Sequence, residues 1–314
     1  MLLTSQPPQG APARIVSLLP SATEILFAVG AGDEVVAVTH ECDYPSAAGS
    51  RPVITSSAIN HDGSSCAAID RHIKGALHAG SGIYRLEETL LASLAPTLVV
   101  TQELCDVCAV AYRQVAEAVR ELPGTVPILS LEPRGLNDIL TTVELVGRAS
   151  HREVTAAEVV RQLRRRIDAV TAMPLPGRSP RTVCIEWTDP LMVGGHWVPE
   201  MVQRAGAVDA LGVAAEPSRW IQWDDVLACQ PELMVLMPCG FGLDATLRCA
   251  ADVVSRPGFA ALPCARAGRV VAVDGSAYFN RPGPRIVEGL ELLAAIVRAR
   301  PGGGLPPGAA WVSL

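Results

Sequence analysis

Aromatic residues are scarce in this chain: Phe, Trp and Tyr together make up 4% of its 314 residues. Each aromatic therefore carries information by its position. No stretch of about 18 or more consecutive apolar residues occurs, so no segment reads as a membrane-spanning helix. A dominant basic tract is also missing, and the formal net charge is −6. Non-specific nucleic-acid binding, which depends on neutralising phosphates with Lys and Arg, is excluded on that ground. No P-loop, GxSxG elbow, HExxH pair or Rossmann glycine fingerprint is present, so the common enzyme constellations are missing. The first twelve residues show no positive charge before Arg14 and no apolar stretch ending in a small-residue cleavage site. The expected location is the cytoplasm, with a periplasmic one expected only if a signal had preceded Met1. The nine cysteines are odd in number and scattered without a disulfide rhythm, which fits a reducing compartment.

What is present is an aliphatic chain, 49% apolar, long enough to bury roughly three quarters of its unfolded surface in two lobes without staples. Short β-branched runs predict strands at 14–18, 35–39, 98–101, 127–131, 182–186, 233–237 and 270–273, with helical patterns between most of them. Such alternation predicts an α/β fold with parallel sheets and crossover helices. Ser21-Ala22-Thr23-Glu24 has the spacing of a capping box, and Gly30 sits where a left-handed helix cap is wanted. A weak internal repeat supports two similar halves. Glu24, Gly30 and Asp33 recur at the same spacing as Glu200, Gly206 and Asp209, and the segment 91–100 (LASLAPTLVV) is echoed by 226–235 (VLACQPELMV).

Between the halves, Leu136, Ile139, Leu140, Val143 and Val146 form one amphipathic stripe that Gly147 should end. A second capping box at Ser150-His151-Arg152-Glu153 then opens a pattern of about 22 residues, roughly 33 Å long, enough to bridge two lobes. The predicted organisation is an N-terminal lobe at 13–135, a linker with a long backbone helix at 136–173 and a C-terminal lobe at 174–300. Residues 1–12 and 301–314 are expected to be tails, the latter loosely held unless Trp311 docks.

In parallel sheets ligands sit at the carboxyl ends of strands. The loops there carry Pro20, Ser21, His40, Glu41, Cys42 and Tyr44 in the first half. In the second half they carry Trp187, His196, Trp197, Cys239, Phe241, Tyr278 and Arg281. His196 and Trp197 follow a Gly-Gly pair, where a backbone can approach a ligand closely. Cys105 and Cys108 form a CxxC, and with Cys42 and Cys239 they make a candidate zinc or iron site. On that reading the chain is a cytoplasmic enzyme using the cleft cysteines as metal ligands or reactive thiols, with Glu41, Asp106 or His196 as acid or base. Cys66, Cys184, Cys229, Cys249 and Cys264 lie in apolar or small-residue surroundings and read as inert. No catalytic residue is assigned.

The run RIVSLLPSATEILFAVGAGDEVVAV, the DYP after the second strand, LEETLLASLAPTLVV, the long mid-chain helix and the closing RPGPRIVEGLELLAAI resemble the substrate-binding proteins of vitamin B12 and iron-siderophore ABC importers. The likeness runs collinearly over about residues 13–299. It implies the class III fold, two α/β lobes joined by a single long backbone helix, and a small-molecule ligand held in an interlobe cleft. A cobalamin-like corrinoid, another tetrapyrrole or a metal chelate is the implied ligand. The resemblance places Pro20, Ser21, Tyr44, Trp187 and Arg281 at cleft positions. Tyr44 and Trp187 would supply flat faces, and groups near Ser21 would bind peripheral amides. An ABC permease is implied as a partner only if the chain is exported. The missing signal and the cleft cysteines set this chain apart, as a signal-less, cysteine-bearing branch.

Overall fold

The structure, a computed structural model, describes residues 13–57, 65–78, 83–102, 112–175 and 177–314. The chain divides into two compact units. The first holds the described residues of Met1–Ser64, Arg71–Glu132 and Leu140–Arg161, and the second those of Ser65–Asp70, Pro133–Ile139 and Gln162–Leu314.

In the first unit, strands β1 (Ile15–Ser17), β2 (Val35–Ala37), β3 (Thr55–Ser57), β4 (Tyr84–Leu86), β5 (Leu98–Thr101) and β6 (Ile128–Ser130) follow the chain. Four of them form a parallel sheet in the order β2-β1-β5-β6, while β3 and β4 make an antiparallel pair. The interior strand β5 is buried at every residue, which is why it reads as the continuous run LVVT rather than an alternating one. Val16, Leu18, Ile54, Leu91, Val99, Val115 and Val119 pack around this sheet as the unit's core.

The second unit is built on β7 (Arg181–Thr188), β8 (Leu191–Val193), β9 (Val208–Asp209), β10 (Arg219–Trp220), β11 (Leu233–Leu236), β12 (Val270–Val273) and β13 (Ala309–Trp311). They form one seven-stranded sheet in the order β10-β8-β7-β11-β12-β13, with β9 paired to the start of β7. The centre, β7, β11 and β12, is parallel, and antiparallel strands flank it. Residues 301–314 are thus no loose tail. Trp311 docks: its strand pairs with β12, and its indole N–H donates to the Gly303 carbonyl at 2.7 Å.

The internal repeat is a repeated helix ending. The helices Pro20–Ala28 and Val198–Arg204 both begin with a proline in the first turn and both end in a Schellman motif. Ala31 N–H reaches Leu26 O at 2.8 Å, and Ala207 N–H reaches Val202 O at 3.0 Å. The glycines between them, Gly30 and Gly206, have φ of +84° and +94°. The second echo is also structural: Ala95 and Gln230, each before a proline and a buried strand, both adopt the left-handed conformation that ends a helix.

Two capping expectations are corrected. The first helix starts at Pro20, with Leu19 as its cap residue and no side-chain cap, so Ser21 lies inside the helix. Proline at the first helical position has its φ already set and lacks the N–H that a cap would satisfy. The mid-chain segment is two helices, Leu136–Ala149 and Glu153–Thr171. The Ser150 hydroxyl bonds backward to Val146 O at 2.8 Å instead of capping forward. The second helix therefore has 19 residues, about 28 Å, against the 22 expected. Gly147 does not end the first helix. It allows close approach to the second, since a Cβ there would lie 2.3 Å from that of Ala156.

Candidate functional site

The carboxyl ends of β7, β11 and β12 in the second unit bring most of the singled-out residues together. Trp187 near the end of β7 and Phe241 after β11 meet edge to face, with centroids 5.5 Å apart and planes at 60°. Trp187 is 7% exposed, and its indole N–H has no hydrogen-bond partner among the described residues. A buried donor without an acceptor costs about 1–3 kcal/mol. After β12, Asp274 caps a single helical turn by accepting from Ala277 N–H at 2.8 Å. The chain then runs through half-buried Tyr278, buried Phe279, Asn280 and buried Arg281. Both polar atoms of the Asn280 side chain are buried without partners among the described residues.

The loop after β8 is linked to the segment after β12. Trp197, equally buried, donates its indole N–H to Phe279 O at 2.8 Å and so ties the loop to the segment after β12. The His196 ring lies 5.5 Å from that of Trp197, and its backbone sits at φ +50°. Burial, with the charge of Arg134 behind it, holds the imidazole below its ordinary range, so it is uncharged near neutrality. Gly195 is required for a different reason from the one expected. A Cβ there would meet Glu216 O at 2.4 Å and Ser218 N at 2.5 Å, so this chain's own loop takes the close approach expected of a ligand.

Glu186 was not singled out by sequence, although a carboxylate within an apolar strand was the available signal. It sits where the β7–β8 register shifts, and Ser218 donates to its Oε2 at 2.6 Å. Burial pushes the Glu186 carboxyl up, with Ser218 and the Gly195 N–H partly offsetting it. Asn280 was likewise missed, although it lies within the segment that drew attention to Tyr278 and Arg281.

In the first unit, Pro20 opens its helix half-buried, Ser21 is buried and Tyr44 is 45% exposed in the loop after β2. Cys42 is buried, with its sulfur 3.1 Å from both the Thr23 and Thr39 hydroxyls. His40 meets Thr55 Oγ1 at 2.8 Å through Nδ1, and Glu41 at 3.5 Å through Nε2. Cys105, Asp106 and Cys108 lie outside the described residues. Cys239 is half-buried in the second unit. Of the cysteines read as inert, Cys184, Cys229 and Cys264 have thiols raised by burial, Cys264 to about 11. Cys66 and Cys249 instead meet each other, sulfur to sulfur, at 3.3 Å. Hydrogen bonding with Cys249, and with Thr188, holds the Cys66 thiol down against the effect of burial, while the shared hydrogen bond raises Cys249.

Comparison with known proteins follows the fold. The model of a family described as periplasmic binding protein matches residues 15–277. An uncharacterized ABC transporter substrate-binding lipoprotein, YvrC of Bacillus subtilis (strain 168), is 25% identical over 290 residues, covering 90% of this chain and 79% of that protein. The vitamin B12-binding protein of Vibrio parahaemolyticus is 25% identical over 298 residues, covering 91% of each. Among solved structures, the periplasmic heme-binding protein RhuT from Roseiflexus sp. RS-1, in apo form, superposes with a TM-score of 0.69 at 24% identity, covering 92% of this chain and 98% of that one. The fold is that of the class III periplasmic binding proteins. No helix among the described residues is long and apolar enough to cross a membrane.

Proposed function

The chain belongs to the periplasmic binding protein family, as a substrate-binding protein of its vitamin B12, heme and siderophore group, and from that premise we propose that its ligand is a flat metal chelate. A cobalamin-like corrinoid or another tetrapyrrole fits the chemistry best. The observation that carries this reading is the Trp187–Phe241 ring pair, together with the Trp187 indole N–H and, seven residues beyond β12, the Asn280 amide, neither of which has a partner among the described residues. A macrocycle offers such a face both what it wants: apolar area for the rings, and peripheral amide or carboxylate groups for the orphaned donors. Buried Arg281 favours an anionic or amide-bearing rim, and neutral His196 would offer a ring nitrogen to a chelated metal. A permease partner follows only if the chain works outside the cytoplasm.

The test is direct. The absorption spectrum of the freshly purified protein, followed by calorimetry with cobalamin, hemin and a ferric siderophore, should show saturable one-to-one binding of at least one. Binding should weaken in Trp187→Ala. Silence against all three would overturn the reading.

A further inference from the structure

A second cluster stands apart from the aromatic face and plays no part in ligand binding as proposed above. Cys66 opens the helix Cys66–His78, and Cys249 closes the helix Leu243–Cys249. Both belong to the second unit. Cys66 is fully buried and Cys249 is 8% exposed. Asp252, three residues beyond Cys249, brings a carboxylate oxygen so that it and the two sulfurs all lie within 4.8 Å of one another. Among the described residues no other three His, Cys, Asp or Glu side chains converge in this way. Behind them, Thr188 at the end of β7 donates its hydroxyl to Asp252 Oδ2 at 2.9 Å, and Arg256 donates to the Thr188 carbonyl at 2.9 Å.

We propose that Cys66, Cys249 and Asp252 bind a divalent cation of the zinc class, with two thiolates and a carboxylate as protein ligands and water in the fourth position. Two sulfurs and one oxygen form a donor set suited to a borderline-soft ion with tetrahedral preference. With metal–sulfur bonds of about 2.3 Å, two sulfurs on a tetrahedron stand about 3.8 Å apart. The observed 3.3 Å needs only about 0.5 Å of separation, a rotamer adjustment, whereas a disulfide at about 2.04 Å needs more than twice that movement in the opposite direction. The Thr188 hydroxyl supplies the kind of outer contact that orients a ligating carboxylate. Asp252, half-buried, leaves an entry path that the two buried sulfurs lack. Binding exchanges two thiol protons for the cation, so two protons leave for each ion bound, and nothing is oxidised.

The experiment uses the full chain, purified under reductant and freed of metal, titrated with zinc and then cadmium. One equivalent should bind, with two protons released, a near-ultraviolet cadmium–thiolate band, and a rise in Tm that chelator reverses. Cys66→Ser and Cys249→Ser should each abolish tight binding. Thr188→Val should weaken it ten- to a hundredfold, while Cys105→Ser with Cys108→Ser should leave it unchanged. No stoichiometric binding, binding that persists in folded Cys66→Ser and Cys249→Ser variants, or loss of it in the Cys105/Cys108 double variant would overturn the site. So would recovery of Cys66 and Cys249 as a disulfide from protein kept under reductant. The cadmium–thiolate band of the unaltered chain does not depend on any variant folding: cadmium bound without that band removes the two-thiolate site.

Discussion

The indole N–H of Trp197 donates to the main-chain carbonyl of Phe279 at 2.8 Å, while that of Trp187, equally buried at 7% exposure, has no partner. The two indoles thus differ in whether their donor is used. Trp197 holds the loop after β8 to the segment after β12, and the Trp187 donor has no partner among the described residues.

This asymmetry predicts opposite sensitivities. Replacing either indole by phenyl removes similar apolar volume, so the cavity terms should nearly cancel in the comparison. Trp197→Phe also loses a made hydrogen bond and strands the Phe279 carbonyl, whereas Trp187→Phe removes an unsatisfied donor. Trp197→Phe should therefore be the less stable variant by about 1–2 kcal/mol. On the proposed reading Trp187→Phe should bind the chelate about tenfold more weakly, equivalent to roughly 1.4 kcal/mol. Urea denaturation and calorimetry on the two variants check both arms. A Trp187→Phe variant less stable than Trp197→Phe would contradict the assignment.

Glu186 predicts a slope in stability against pH. Its carboxyl is raised in the folded state by burial, so the native protein holds a proton that the unfolded chain, titrating near its ordinary value of about 4.3, has already lost. Where the native state binds more protons, stability falls as pH rises. The fall begins near the unfolded value and is complete above the raised one. Glu186→Gln keeps an acceptor for Ser218 and cannot ionise. It should gain on the wild type as pH climbs from about 4 to about 7, with the smallest difference at the acid end. Denaturation midpoints of both proteins across that range decide it, and a constant offset would show that burial of this carboxyl does not govern the slope.

The parts of the fold legible in sequence were those fixed by local chemistry. Leu98–Thr101 and Val270–Val273 read correctly as strands because a strand buried on both faces must be apolar throughout. Gly30 and Gly206 marked helix ends because few other residues adopt positive φ without penalty. Helix starts were misread where a hydroxyl had two options: Ser150 has the spacing of a cap yet bonds back to Val146 O. The rarity of aromatics marks Trp187 and Phe241 in the sequence, and the structure brings the two rings together. The Cys66–Cys249 contact joins residues 183 positions apart, and no local pattern announces it. Gly195 was recognised as a point of close approach, but sequence could not show that the Glu216–Ser218 backbone is what approaches.

The repeated helix ending permits a paired test, because the two glycines differ in what surrounds them. Both Gly30 and Gly206 have positive φ, so alanine at either strains the backbone by about 1–2 kcal/mol. At Gly30 a new Cβ would meet nothing within 4 Å, whereas at Gly206 it would press on Leu175 Cδ2 at 2.9 Å. Gly206→Ala should therefore be the more destabilising change, by the cost of displacing the Leu175 side chain in addition to the backbone term. All five tryptophans lie in the second unit, so tryptophan fluorescence reports its unfolding and not that of the first. Gly206→Ala should shift the fluorescence transition in urea, and Gly30→Ala should leave that transition in place while shifting the one followed by far-ultraviolet circular dichroism. If Gly30→Ala moves the fluorescence transition as far as Gly206→Ala does, the two units unfold as one cooperative body, and the separate accounting of their helix endings fails.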